Sequence, residues 1–224
     1  SVKGTGLVIT GTASAGKVKL HDKLHLLPQW KEVRVREIRA NGKQANLAKA
    51  GQRVALGLNG KIKLSDIQRG DWLVSINSGV ISKRLDVSIR LLADAPFALK
   101  HLAPIKFYIG AKRISSKIAI IDCKNQALLP NQECLAQIIL DKPASAIVGD
   151  RFLIRDYSES FIMGGGTVLD PDGPQFGKSR IGRLDWLKAM RLSSHKASIK
   201  YLLERNEAFD FHQFCLIRNH PINS

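Results

Sequence analysis

The 224-residue chain is predicted to be mainly β: two consecutive barrels followed by a small, incomplete α-helical segment of winged-helix type. Three observations predict this. From residue 6 to 73, short apolar runs are broken by Gly and Asn at intervals of about ten residues, the rhythm of an all-β barrel. From about residue 83, Leu85, Val87, Ile89 and Leu91 alternate with Asp86, Ser88 and Arg90, which is the period of a strand with one buried face. Beyond the proline-bounded Asp170-Pro171-Asp172-Gly173-Pro174, the apolar spacing becomes helical. A chain of this length with 44% hydrophobic content can bury about two cores.

In the first barrel, expected over residues 1–78, Leu7-Val8-Ile9-Thr10 is a strand and residues 11–16 form a turn region. Residues 18–27 lead through His21-Asp22 into the next strand. Val33, Val35 and Ile38 interleave with Arg34, Arg36 and Glu37, so this strand has one charged face. Ala50-Gly51-Gln52-Arg53 opens the run 54–58, and Arg69-Gly70-Asp71 turns into the closing strand Trp72-Leu73-Val74. Residues 75–82, containing Asn77-Ser78-Gly79, read as a short linker. The second barrel, 79–170, continues through strands at 105–109, 117–121, 134–140 and 150–155 and ends in Gly164-Gly165-Gly166-Thr167-Val168-Leu169. Residues 171–180 form a linker, because proline has no N–H to give a strand ladder.

Over 181–224, Leu184, Leu187, Ala189 and Met190 mark a first helix. Ser193-Ser194 can cap a second that carries Ile199, Leu202 and Leu203, and a third is expected from Asp210 with Phe211, Phe214 and Ile217 on its apolar side. The sequence stops before any β wing, and it starts at Ser1 inside a strand-like pattern, so a piece of a longer protein is expected.

The net charge of +16 is unevenly placed. Residues 1–78 hold fourteen Lys/Arg against five Asp/Glu, residues 79–177 twelve against ten, and residues 178–224 nine against four. Basic ends around a nearly neutral middle point to a polyanion, RNA above all, on the first barrel. Within it, Arg34, Arg36, Arg39 and Arg53 are the candidate contacts, since a guanidinium gives planar bonds to phosphate or stacks on a base.

Other chemistry is not expected. The glycine clusters Lys3-Gly4-Thr5-Gly6 and Gly164-Gly165-Gly166 fit no phosphate-binding loop and read as sharp turns or bulges. Asp170 and Asp172 fall in the linker, where a fixed acid–base pair is not expected. Cys123, Cys134 and Cys215 have no Cys-x-x-Cys spacing and read as buried structural thiols, and His21 and His25 flank a turn, so no metal ligand set is assigned. No run approaches the roughly 18 apolar residues of a membrane span, and no signal segment is present, so a cytoplasmic monomer without membrane contact is expected.

The run Lys3-Gly4-Thr5-Gly6-Leu7-Val8-Ile9-Thr10-Gly11-Thr12 resembles the second domain of translational GTPases and is shared with elongation factor Tu. Val33-Arg34-Val35-Arg36, Ala50-Gly51-Gln52-Arg53-Val54-Ala55-Leu56, Arg69-Gly70-Asp71-Trp72-Leu73, Leu99-Lys100-His101 and the helices that follow resemble the bacterial selenocysteine-specific elongation factors, the SelB family. The resemblance covers that family's second and third domains and the start of its C-terminal extension. It implies a factor that delivers selenocysteyl-tRNA to the ribosome at recoded UGA codons, with GTP and Mg²⁺ held by a domain upstream and no GTPase site, hence no enzyme, in this part. It further implies that Arg53 lines the pocket for the ionised selenocysteyl group, that an acidic complement lies upstream of Ser1, and that Arg39 is near the support of the terminal adenosine. The messenger-RNA hairpin is bound by the last winged helix of the full-length factor, so this chain is not expected to recognise it. Alternatives are the barrels of another relative, elongation factor Tu-like or a sulfate adenylyltransferase large subunit, or a winged-helix DNA-binding regulator. The helical tail argues against the former, the missing wing and neutral middle against the latter.

Overall fold

The computed structural model describes residues 7–76, 78–177, 181–205 and 207–220; the Lys3-Gly4-Thr5-Gly6 motif, Asn77 of the first linker and the end of the second linker lie outside them. The chain divides into two compact units, Ser1–Ser78 and Gly79–Ser224.

The first unit contains β1 (Leu7–Thr12), β2 (Lys17–Lys19), β3 (Lys23–Leu27), β4 (Lys31–Ala40), β5 (Lys43–Ala45), β6 (Leu47–Lys49), β7 (Arg53–Asn59) and β8 (Trp72–Ser75). Its sheet runs β1-β7-β4-β3-β8, with β5 on β4, and a separate two-stranded ribbon joins β2 to β6. Leu24, Val33, Val35, Ile38, Val54, Leu56 and Leu58 from the sheet and Ala48 from the ribbon form one buried cluster, against which Val18 also packs. The ribbon therefore covers the open side of the curled sheet. The apolar positions of β4 step from Val35 to Ile38 across three residues, and the register shift between Val35 and Glu37 absorbs the extra one. A β-bulge at Arg36 thus keeps both apolar sets on the core side.

The second unit contains β9 (Ile81–Leu91), β10 (Leu99–Lys100), β11 (Ala103–Ile109), β12 (Lys112–Ile120), β13 (Ala127–Leu128), β14 (Glu133–Ser145), β15 (Arg151–Asp156) and β16 (Ile162–Asp170). Six of these close an antiparallel barrel in the order β11-β12-β14-β9-β16-β15, and β10 and β13 pair alongside. Leu85, Val87, Ile89 and Leu91 are all buried in its core, as their alternation requires.

Gly164, Gly165 and Gly166 lie inside β16, paired with β9 on one side and β15 on the other. This corrects the expectation of a turn or bulge. A Cβ on Gly164 would fall within van der Waals contact of Arg90 O, one on Gly165 would lie 2.5 Å from Phe152 O, and one on Gly166 would overlap Ser88 O. The run is therefore glycine because neighbouring strand backbones approach too closely for a side chain.

Helices α1 (Ile181–Met190), α2 (His195–Leu203) and α3 (Phe211–Ile217) follow. Ser194 caps α2 by accepting from Ala197 N, and Asp210 caps α3 by accepting from Gln213 N. Their buried residues Leu187, Met190, Leu202, Phe214 and Ile217 share a cluster with Leu135 and Leu169 of the barrel. The helices thus belong to the same compact unit as the second barrel.

An ionic clamp fixes this packing. Arg183 of α1 donates from Nε (3.0 Å) and Nη2 (2.5 Å) to Asp86 Oδ2, and from Nη1 to Asp170 Oδ2 at 2.8 Å. Trp186 Nε1 donates to the same Asp170 oxygen at 2.8 Å. Gln137 Nε2 donates to Asp86 Oδ1 and to Pro174 O, so the linker is strapped to the barrel by the same network. Asp170, read from sequence as part of a linker, is instead the last residue of β16 and is almost wholly buried. No helix among the described residues is long and apolar enough to cross a membrane.

Two carboxylates share one guanidinium, so burial, reinforced by the charge of Asp170, pushes the Asp86 carboxyl above its ordinary range despite Arg183. A carboxyl raised in the folded state takes up a proton on folding. Its contribution is full below the unfolded pKa and is lost as pH rises through the folded one.

Three outcomes are expected in urea or thermal unfolding of the 224-residue chain. Gly166→Ala lowers stability by at least about 3 kcal/mol, because backbone must move to admit the methyl group. Arg183→Ala costs about 3–5 kcal/mol by leaving two buried carboxylates without their cation. The stability margin of the unmodified chain over Asp86→Asn shrinks as pH rises above about 4, the ordinary carboxylate value; a margin that grows as pH rises would contradict the raised Asp86 carboxyl.

Candidate nucleic-acid interface

The outward face of the first unit is built by β1, β7, β4 and β5. Pairing of Thr12 with Arg53, Thr10 with Ala55, and Val8 with Gly57 sets β1 beside β7. On the other side of β7, Arg39 pairs with Ala55 and Glu37 with Gly57, and Arg39 also faces Gln44 of β5. Because side chains alternate across a strand, these residues all point away from the core that holds Val54, Leu56 and Ile38.

The middle of this face is Ala55, half-buried, and Gly57, which is buried against Glu37, and cations border it. Arg53 and Arg39 are diagonal neighbours across β7 and β4, an offset of roughly 7–8 Å that long side chains span. Arg53 is exposed and makes no hydrogen bond or ion pair with the described residues, so its guanidinium is available. Arg39 is bound through Nε to Glu37 Oε1 at 2.8 Å. Gly57 gives Glu37 room, since a Cβ there would lie 3.1 Å from the Glu37 Cβ and Glu37 would have to shift by a few tenths of an ångström.

Of the four arginines read from sequence, the middle of this face brings together Arg39 and Arg53. Arg34 pairs with Asn59 and Lys23, farther along β4, and its Nε donates to His21 O at 3.2 Å. Arg36 is exposed at the bulge, between Arg34 and Glu37. Sequence reading passed over Glu37, Ala55 and Gly57 as site residues, because their proximity arises from pairing between strands far apart in the chain. The +9 balance of residues 1–78 was the readable signal, and it located the unit but not the face.

A second feature emerges in the β1–β2 connection. Gly11-Thr12-Ala13-Ser14-Ala15-Gly16-Lys17 has the glycine and lysine spacing of a phosphate loop, but Val18 stands where that motif has Ser or Thr and strand β2 follows in place of a helix. The segment joins strands of two different sheets and is tied to the β6–β7 connection by bonds from Gly51 N to Ala13 O and from Ala50 N to Gly16 O. The chemistry offered by the whole face is therefore recognition of an anionic, planar group by guanidinium and hydroxyl groups, without a nucleophile–base pair among its residues.

Residues 83–175 match the family model described as "Selenocysteine-specific elongation factor, beta-barrel domain". A selenocysteine-specific elongation factor from Haemophilus influenzae is 34% identical over 92% of this chain and 32% of its own length. Its counterpart from Escherichia coli is 31% identical over 92% of this chain and 31% of its own length. The chain therefore spans about a third of the length of these relatives. A crystal structure of a bacterial selenocysteine-specific elongation factor is similar in fold over 99% of this chain and 35% of that one, with a TM-score of 0.74 at 23% identity.

Glu37→Gln releases Arg39 and removes a negative charge from the outward face. Binding of a short single-stranded RNA, followed by fluorescence polarisation, is expected to tighten, and the slope of log K against log salt to steepen by about one. Weaker binding on this substitution would assign Glu37 to the ligand rather than to Arg39.

Proposed function

Since the chain belongs to the family of selenocysteine-specific elongation factors, we propose that its first unit holds the aminoacyl end of selenocysteyl-tRNA on the outward face of β1, β7 and β4. The observation that carries this reading is Arg53, exposed and without a partner among the described residues, beside the small residues Ala55 and Gly57, with Arg39 diagonal to it on β4. A selenol is ionised at neutral pH, whereas the hydroxyl of a seryl group is not, so Arg53 attracts the first far more than the second. Arg39 supports the terminal nucleotide from the Glu37 side. Arg34 and Arg36, farther along β4, contact backbone phosphate and add affinity without selecting the amino acid.

In this reading, delivery to the ribosome is an activity of the longer factor, and GTP with Mg²⁺ belongs to a domain outside these residues. Recognition of the messenger-RNA hairpin likewise lies outside them. The chain acts as a cytoplasmic monomer that contributes tRNA contacts and no hydrolysis. The helices after β16 favour this reading over the barrels of elongation factor Tu-like or sulfate adenylyltransferase relatives.

The test is binding of selenocysteyl-tRNA and seryl-tRNA to the 224-residue chain. Selenocysteyl-tRNA is expected to bind more tightly, by about tenfold for one charge-assisted contact, and both affinities to fall steeply between about 50 and 200 mM salt. Arg53→Ala is expected to abolish the preference while leaving seryl-tRNA binding nearly unchanged. Equal binding of the two tRNAs by the unsubstituted chain would remove the assignment of the selenocysteyl pocket.

A further inference from the structure

Ten residues lie between Cys123 and Cys134 in sequence, yet the barrel brings them together. Cys134 is buried near the start of β14, opposite Ile89 of β9. Cys123 lies just beyond β12, partly buried against the same core. Continuation of the β12–β14 pairing through Ile121 N to Leu135 O aligns the two segments. The sulfur atoms of both cysteines and a carboxylate oxygen of Asp122 all lie within 4.8 Å of one another. Asp122 is fixed in this position because Oδ1 accepts from Leu135 N at 2.7 Å, which leaves its second oxygen for another partner. Cys215 lies in α3, within the cluster between helices and barrel, and takes no part.

We propose that Cys123, Cys134 and Asp122 form a binding site for one thiophilic divalent cation, of which Zn²⁺ is the common example. Two soft sulfur donors and one carboxylate suit this class of ion and not Mg²⁺ or Ca²⁺, which take all-oxygen shells. A tetrahedral ion with bonds to sulfur of about 2.3 Å places its donors about 3.8 Å apart, so closure from the present spacing needs shifts of roughly 1 Å or less. Asp122 is exposed, so solvent supplies the fourth ligand.

On binding, both S–H bonds break, two metal–sulfur bonds form and two protons pass to the buffer, with no change in oxidation state. Burial pushes both thiols above their ordinary range, which keeps them protonated and inert until a cation competes for the sulfur. The bound ion ties the turn after β12 to the start of β14 and closes the intervening loop.

The test is titration of the reduced 224-residue chain with Cd²⁺ in the absence of air, read by thiolate-to-cadmium charge-transfer absorption and by the melting temperature. One equivalent is expected to bind, raise the melting temperature and be displaced by Zn²⁺. Cys123→Ser, at a partly exposed position, is expected to weaken binding by more than the about 10- to 100-fold that loss of an outer-shell partner costs. Asp122→Asn is expected to weaken it less, and Cys215→Ser to leave it unchanged. The proposal is overturned if Cd²⁺ shows no saturable uptake, if Cys123→Ser binds as the unsubstituted chain does, or if Cys215→Ser abolishes the signal. Loss of two mass units on exposure to air, with no metal uptake in the reduced chain, would overturn it in favour of a disulfide.

Discussion

The sharing of Arg183 between Asp86 and Asp170 is the constraint on which the second unit depends. The two carboxylates come from neighbouring barrel strands, where Asp170 pairs with Asp86 after a register shift. Neither could remain buried without a cation, since an isolated carboxylate in a low-dielectric interior is costly enough to drive unfolding or protonation. Among the described residues the cation bonded to both carboxylates is Arg183, which α1 supplies. The apolar contacts of Leu187, Met190 and Phe214 with Leu135 and Leu169 then follow. Hydrophobic burial provides most of the favourable energy, but it is non-directional. The guanidinium, with bonds to two fixed acceptors, specifies which way α1 lies.

In the first unit the comparable constraint is the phase of β4. Its apolar residues fall out of step between Val35 and Ile38, and the bulge at Arg36 restores them to the core. The bulge also resets the outward side chains, so that Glu37 and Arg39, and not Arg36, lie across from Gly57 and Ala55. A strand without the extra residue would carry its charges on the other phase and either bury Glu37 or expose Ile38. The geometry of the basic face is thus a consequence of core packing. Gly57 completes it by admitting the Glu37 side chain at close range, and Glu37 in turn orients Arg39.

Much of this fold was legible in the chain. Alternation at Leu85, Val87, Ile89 and Leu91 located a barrel strand because one face is core and the other is not, and Ser194 and Asp210 marked helix starts because unpaired N–H groups need an acceptor. What was illegible depends on contacts between distant segments. The Gly164–Gly166 run looks like a turn locally, and only the approach of Arg90, Phe152 and Ser88 explains it as strand. Asp170 looks like part of a proline-bounded linker, and only Arg183 shows why an acid ends β16 there. Of the basic face, the arginines could be named from composition, but the pairing of Arg53 with Arg39, and the separation of Arg34 from both, belongs to strand register. The approach of Cys123 to Cys134 has the same origin.

Strand register also bounds what the basic face can discriminate. Arg53 is exposed, so a neutral ligand leaves it hydrated at no penalty, and selection for an anion comes from attraction alone. A charge-assisted hydrogen bond contributes about 1.5–3 kcal/mol, equivalent to about 10- to 150-fold, and exposure to water places this site toward the lower end. Larger discrimination arises only when water is excluded, because an unpaired guanidinium in a dry pocket then penalises the neutral ligand as well. Gly57 is buried against Glu37, so the ledge open to a ligand beside Arg53 is Ala55, itself half-buried. A surface that covers it would convert modest attraction into strong selection. In the proposed function, high selectivity for the selenocysteyl group is therefore a property of Arg53 together with whatever closes over it, and the ladder of β1, β7 and β4 supplies the half that faces the cation.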